Sequence, residues 1–165
     1  MTDKKIIIGF IVLTTLILGG GIFVLSSTSA TPAKIAASQN AKVEVSEKTF
    51  DWGNIPYSGE KATKTFIIKN SGIGVLQLSA VKTSCTCTKA QISIEGKTSP
   101  YFNMHSTSGW VGEIPPGKEA ELLVIFDQTF HGPTGVGPIE RLVSVETNDI
   151  QNPKIEFSLK GVVVK

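Results

Sequence analysis

Residues 141–164, RLVSVETNDIQNPKIEFSLKGVVV, decide the fold of this chain. Two runs within this stretch, 141–147 and 155–164, alternate apolar with polar side chains, which is the pattern of a strand with one buried face. Between the runs lie Asn148 and Asp149, residue types that favour turns. The stretch therefore predicts two β-strands separated by a turn.

Further strands are predicted on the N-terminal side of these two. Residues 63–69 (TKTFIIK), 76–81 (LQLSAV) and 120–126 (AELLVIF) are short apolar runs, most of them rich in β-branched or aromatic residues. No segment after residue 41 carries a 3.6-residue apolar period over three turns. Residues 42–165 are therefore expected to form one all-β domain, a sandwich of seven to eight strands in two antiparallel sheets.

An uncharged apolar run precedes this domain, since residues 6–25 read IIIGFIVLTTLILGGGIFVL. A run of about 20 residues, at a rise of about 1.5 Å each, matches a hydrocarbon core roughly 30 Å thick, so a transmembrane signal-anchor helix is predicted. The alternative is a cleaved signal peptide, whose apolar stretch has about 7–15 residues. The run here is longer, and residues 28–30 form a poor cleavage site.

The flanking residues predict the orientation of this anchor. Lys4 and Lys5 stand directly before the apolar run, and the positive-inside rule places residues 1–5 in the cytoplasm. The domain is then extracytoplasmic, in a periplasm or at the cell surface. Residues 26–41 are mostly small and polar with one proline, and they are predicted to form a flexible tether.

Composition and motifs exclude several functions. The net charge is +2 and the basic residues are dispersed along the chain, so no nucleic-acid partner is expected. The sequence contains no glycine-rich phosphate loop, no nucleophile elbow and no HExxH motif. We therefore predict no catalytic residues and no enzyme activity.

Two irregular stretches interrupt the strand pattern. Residues 95–112 (EGKTSPYFNMHSTSGWVG) are long, polar and aromatic, and residues 127–138 (DQTFHGPTGVGP) contain three glycines and two prolines. Long loops in compact domains are commonly functional or disordered. The aromatic side chains of the first stretch argue against disorder because they need a surface to pack on.

The soft and imidazole ligands all fall between residues 85 and 131. Apart from the initiator methionine they are Cys85, Cys87, Met104, His105 and His131. Thiolate, thioether and imidazole together favour copper(I), with zinc as second choice. Cys85, Cys87 and His131 are the first candidates, and Met104 and His105 compete for a further position because adjacent residues rarely bind one ion together.

The two cysteines leave other interpretations open. On a strand they would share a face with α-carbons roughly 6.5–7 Å apart, so a disulfide would need a bent backbone and would be strained and easily reduced. They could instead serve as small core residues, as free cysteine does well. Alternatively, an oxidising compartment would favour a structural or redox disulfide.

Several ordered motifs resemble a known family. The chain is similar to the bacterial and archaeal "domain of unknown function 1573" family, which looks related to the immunoglobulin-like sandwiches of the Hydin and major-sperm-protein class. Thr86 stands where that family commonly has glycine between its two cysteines. The resemblance implies an immunoglobulin-like sandwich and an exported, membrane-tethered placement, and it implies no enzyme activity. The motifs are FDWGNI (50–55), TFIIKNSG (65–72), SCTCT (84–88), IPPGKEAELLVIF (114–126) and TND (147–149).

Two functions follow as hypotheses. The first is a membrane-anchored extracytoplasmic binding module that takes a soft metal ion, copper before zinc. The second is an adhesion or scaffolding module that binds protein or glycan, in which the cysteines are structural. A thiol–disulfide exchanger is a third, and it would need a cation or a helix N-terminus near the thiols.

Overall fold

The structure is a computed structural model that describes residues 2–26 and 33–165. Helix α1 covers Thr2–Ser26, so the helix expected over residues 6–25 is present. Within the described part of the chain, no helix combines the length and apolar character needed to cross a membrane. Part of the predicted tether, residues 27–32, lies outside the described residues. Helix and β domain are separate compact units.

The β domain contains ten strands in its described residues, arranged in two five-stranded sheets. The first sheet has the order β1-β3-β8-β5-β6 and the second the order β2-β10-β9-β4-β7. The strands are β1 (Val43–Glu44), β2 (Thr49–Pro56), β3 (Ala62–Asn70), β4 (Leu76–Thr83), β5 (Thr88–Ile94), β6 (Lys97–Thr98), β7 (Gly112–Ile114), β8 (Glu119–Phe126), β9 (Gly137–Thr147) and β10 (Lys154–Val164).

The strand count and one pairing differ from the expectation of seven to eight antiparallel strands. Strands β1, β6 and β7 have only two or three residues, too few to show an alternating pattern in the sequence. Strand β2 pairs with β10 in parallel, from Thr49 opposite Ser158 to Pro56 opposite Val164. These strands lie far apart in the chain, so no hairpin forces them to run in opposite directions.

The alternation of buried and exposed residues along the strands explains how the two sheets enclose a core. Strand β10 buries every second residue from Ile155 to Val163, and β8 does so from Ala120 to Phe126. Between the sheets, the rings of Phe66 and Phe157 lie 4.8 Å apart. The core is thus formed by side chains from the inner faces of both sheets, as expected for a sandwich.

Strand β4 contains the main irregularity of the domain. Its pairing with β9 shifts register between Ser79 and Lys82, and Ala80 adopts a positive φ of 46°. The extra residue lets both Leu78 and Val81 point inward although they are three positions apart. The bulge therefore keeps the rest of β4 in phase with the core up to the turn that follows Thr83.

The long stretch 95–112 is largely structural. Phe102 is buried and exchanges two backbone hydrogen bonds with Ala90, so the loop extends the sheet beyond β5. The ring of Trp110 packs 5.4 Å from that of Phe102. The expectation that the aromatic side chains of this stretch pack on a surface is confirmed for Phe102 and Trp110, whereas Tyr101 is 53% exposed.

Residues 38–41, which the sequence assigns to the tether, pack on the β domain. The Ser38 amide donates to the Asn148 carbonyl at 2.7 Å, and Ala41 is part of the core cluster. The Asn40 carbonyl accepts from the amides of Ile73 and Gly74. The chain thus joins the domain at the end that also holds Asp149.

Asp149 holds this end of the domain together through its carboxylate. It accepts from the amides of Val43 at 3.0 Å and Gln151 at 2.8 Å, and from the Asn152 side chain at 3.2 Å. Burial raises the pKa of Asp149, but these hydrogen bonds together outweigh burial and hold the pKa below its ordinary value. The charged form is therefore the one that the fold favours.

This carboxylate should make the stability of the domain depend on pH in acid. Because the folded pKa is lowered, its contribution is complete above the unfolded pKa of about 3.9 and is lost as the pH falls through the folded value. We expect the stability difference between wild type and Asp149→Asn to be constant near neutrality and to shrink below about pH 4. Urea unfolding at a series of pH values measures it, and a difference that stays unchanged down to pH 2 would contradict it.

Candidate functional site

The two cysteines lie in the turn that carries the chain from β4 in one sheet to β5 in the other. The Thr88 amide donates to the Cys85 carbonyl at 3.1 Å, which closes the turn. The Thr83 hydroxyl lies 2.8 Å from the Cys85 carbonyl oxygen and 3.1 Å from that of Thr88. The Ser84 amide donates to the Leu142 carbonyl of β9 at 2.9 Å, and the Ser84 hydroxyl oxygen accepts from the Leu142 amide at 2.9 Å. The turn is thus fixed by hydrogen bonds that do not involve sulfur.

Cys85 and Cys87 form a disulfide, with their α-carbons 5.2 Å apart. The turn brings the α-carbons closer than the roughly 6.5–7 Å that an extended strand would give. This is the bent backbone that a disulfide at this spacing needs. The Cys87 amide donates to the Cys85 sulfur at 3.1 Å.

The two sulfur-bearing residues have different surroundings. Cys87 is 2% exposed and packs with Ile55, Phe126 and Val163, a small core cluster at this end of the sandwich. Cys85 is only half-buried and lies at the margin of the same cluster. One sulfur is thus part of the core and the other is near the surface.

His131 lies beside the disulfide. Its Nε2 atom is 3.8 Å from the Cys85 Sγ, and the ligand atoms of Cys85, Cys87 and His131 all lie within 4.8 Å of one another. The imidazole is exposed and packs edge-on against the ring of Phe130, with 5.1 Å between centroids. Three of the five predicted ligands therefore lie close together in the structure.

Asp127 positions the loop that carries His131. Its amide donates to the Cys87 carbonyl at 2.9 Å, which ties the loop to the cysteine turn. Its carboxylate accepts from the Lys61 ammonium at 2.7 Å and from the Thr129 hydroxyl at 2.7 Å. These two bonds, that of Lys61 first, hold the pKa of Asp127 below its ordinary value against the opposing effect of burial.

Gln128 attaches the same loop to a third segment. Its side-chain amide lies 3.0 Å from the Gly59 carbonyl and 2.9 Å from that of Glu60, and the residue is 2% exposed. No sequence motif indicates a role for Asp127 or Gln128 in the site. The one available signal was their position directly after a strand, at the start of the irregular stretch 127–138.

Met104 and His105 lie in the other irregular stretch, residues 95–112. Both are exposed, and the His105 amide is held by the Asn103 side chain at 2.8 Å. Among the described residues, His105 is not a member of the group formed by the cysteines and His131. The place of Met104 in a ligand set stays a prediction.

Comparison with known proteins supports the fold and the family resemblance. Residues 43–100 match the model of DUF1573, a family of proteins of unknown function. No curated protein matches the chain in sequence. The resemblance noted from the ordered motifs is thus confirmed over these residues.

Solved structures with a similar fold include three of different origin. A protein of unknown function from Porphyromonas gingivalis W83 has a TM-score of 0.57 at 24% identity over 78% of this chain. This chain spans about half, 49%, of that protein. PapD-like domain 7 of human CEP192 has a TM-score of 0.48 at 16% identity, covering 84% of this chain and 96% of that domain.

The third is WR4, a member of the MSP family from C. elegans, with a TM-score of 0.40 at 13% identity over 77% of this chain and 100% of that protein. At these identities the likenesses concern the fold alone. The described residues form a β-sandwich of two five-stranded sheets, a fold that the Porphyromonas gingivalis protein shares.

Proposed function

We propose that this chain, whose residues 43–100 match a family of unknown function, is an extracytoplasmic binding module. When its disulfide is reduced, the module binds a soft metal ion. Cys85, Cys87 and His131 would hold the ion, with copper(I) preferred over zinc because two of the three donors are thiolates. The observation that supports it is the mutual proximity of all three ligand atoms, within 4.8 Å.

The distances between these atoms suit a shared ion. Two ligands of one tetrahedral ion, each about 2.0–2.3 Å from it, lie roughly 3.3–3.8 Å apart. The Cys85 Sγ and His131 Nε2 are already 3.8 Å apart. Binding then requires that the disulfide be reduced, that the two sulfurs move apart, and that the Cys87 sulfur and the imidazole adjust to the same ion from positions within 4.8 Å. The hydrogen bonds of the turn can hold the backbone while this happens.

A membrane anchor belongs to the same proposal. The uncharged residues 6–25 lie within α1, and Lys4 and Lys5 precede them. On this proposal the N-terminus is cytoplasmic and the binding site is outside the membrane. Retention of the full-length chain in washed membranes, and its release when residues 6–25 are deleted, test this part.

Copper(I) titration of the full-length, reduced chain tests the metal site. We expect one equivalent to bind, and Cys85→Ser or His131→Ala to weaken binding by at least about tenfold, as loss of groups at metal sites commonly does. His105→Ala is the matched control and should leave the affinity unchanged, whereas Met104→Leu reports whether the thioether takes part.

The cysteine double variant decides the outcome. Stoichiometric binding that survives replacement of both Cys85 and Cys87 would overturn the proposal, as would failure of the reduced, folded wild type to bind. Zinc in place of copper gives the order of preference between the two ions.

The alternative function is adhesion or scaffolding, with protein or glycan as partner. The observation that favours it is the disulfide itself, since Cys87 is buried and packs on Phe126 as a structural residue would. Two unreactive cysteines and the absence of metal from the isolated protein would support this function instead.

A further inference from the structure

The disulfide presents one sulfur to the surface and buries the other. Cys87 lies in the core cluster with Ile55 and Phe126, whereas Cys85 is half-buried beside the exposed His131. Thiol–disulfide exchange requires an attacking thiol to reach one sulfur of the bond. At this site, Cys85 is the sulfur that an external thiol can approach.

The disulfide closes a short loop of three residues, from Cys85 to Cys87, because the two cysteines are separated by two positions. In the chain-entropy account, the stabilisation by a disulfide grows with the length of the loop it closes, so this bond is expected to contribute less than one that closes a long loop. Reducing the bond is therefore not expected to unfold the domain.

The turn keeps the cysteines together when they are not bonded. The Thr88 amide is bound to the Cys85 carbonyl, the Asp127 amide to the Cys87 carbonyl, and Ser84 pairs with Leu142. A dithiol held in this way re-forms its disulfide by an intramolecular reaction, which proximity accelerates strongly. The Cys87 amide also points at the Cys85 sulfur, where a hydrogen bond stabilises developing thiolate charge.

From these observations we propose that Cys85 and Cys87 form an exchange-active dithiol–disulfide pair in which Cys85 reacts with the external thiol or disulfide and Cys87 resolves the intermediate. The substrate class is an accessible thiol–disulfide couple, on a small molecule or on a peptide. The inference uses the same cysteines as the metal site but does not rest on metal binding.

The reaction balances without a further reagent. In the reduced protein, the Cys85 thiolate attacks a substrate disulfide RSSR′, forming a mixed disulfide Cys85–S–S–R and releasing R′S⁻. The Cys87 thiolate then attacks the Cys85 sulfur and releases RS⁻. The protons of the two cysteine thiols end on R′SH and RSH, so the protein is oxidised by two electrons and the substrate is reduced by two.

Single-cysteine variants of the metal-free, full-length chain test the roles. We expect reduced Cys87→Ala to form a mixed disulfide with glutathione disulfide at least about tenfold faster than reduced Cys85→Ala, because access controls the rate. Mass spectrometry of the intact protein measures the adduct. Equal rates, or faster reaction of Cys87, would overturn the assignment.

Wild-type protein provides a test that does not depend on the folding of a variant. Brief alkylation of the reduced chain should modify Cys85 before Cys87, as read by peptide mapping. A glutathione buffer should reduce and re-form the disulfide with no change in circular dichroism, and a disulfide that native protein never exchanges would refute the proposal.

A peptide disulfide in place of glutathione shows which source of substrate reacts faster. Loss of exchange with intact copper binding, or the reverse, separates this inference from the proposed metal site.

Discussion

Replacing Asn70 with alanine is expected to lower the free energy of unfolding by about 3–5 kcal/mol, since several buried polar groups lose their partners at once. The Asn70 side chain is fully buried at the end of β3. Its amide group donates to the carbonyls of Gly74 and Ile114, both at 2.8 Å, and its oxygen accepts from the Gly72 amide at 2.9 Å. Asn70 thus connects the turn after β3 to β7 of the other sheet.

Urea unfolding of the full-length chain, followed by tryptophan fluorescence, measures this loss. Both tryptophans, Trp52 and Trp110, lie in the β domain, so the signal reports on that domain. Asn54→Ala is the matched control, because Asn54 is exposed on β2 and such surface changes usually stay within about 0.5 kcal/mol. Equal losses for the two variants would show that the buried hydrogen bonds do not act as described.

Replacing Phe126 with alanine is expected to cost about 3–5 kcal/mol, the usual range for deleting a buried phenylalanine side chain. Phe126 is 2% exposed and stacks on Trp52 with 5.9 Å between ring centroids. The Arg141 guanidinium lies over the Phe126 ring, 5.2 Å from the ring centroid. Because Cys87 packs in the same cluster, the cavity would also loosen the buried half of the disulfide.

Phe130 provides the control for this prediction. It lies four positions further along the same segment, is 52% exposed and contacts the ring of His131. Phe130→Ala should change the free energy of unfolding by no more than about 0.5 kcal/mol. If the Phe126 variant is no less stable than the Phe130 variant, the small core cluster that contains Cys87 and Phe126 does not stabilise this end of the domain.

The longer strands could be predicted from the sequence. In β8, β9 and β10, mostly apolar side chains that face the core alternate with more exposed, mostly polar side chains. Strand β4 shows where that signal fails. The spacing from Leu78 to Val81 breaks the period, and only the bulge at Ala80 reconciles it with a single buried face. The two- and three-residue strands form because neighbours supply hydrogen bonds, so their own residues carry no pattern.

The sequence indicated which side chains to compare at the candidate site but not how they are arranged. Scarcity of soft side chains pointed to Cys85, Cys87 and His131, and the structure places these three together. The state of the cysteines depended on the backbone between them, and residue types alone did not reveal the hydrogen bonds that bend it. Likewise, the Asp127 amide that fixes the histidine loop is a backbone group, which no side-chain motif can indicate.

Strand β10 has a practical consequence for anyone who handles this protein. It ends beside Tyr57, whose amide donates to the Val164 carbonyl, and Val163 packs in the cluster that contains Cys87. A polyhistidine tag fused after Lys165 would therefore be separated from Val163 by only two residues, near the cluster that contains Cys87, and its imidazoles would compete for copper in the titration. Purification handles belong elsewhere in the chain, or must be cleaved before either chemistry is measured.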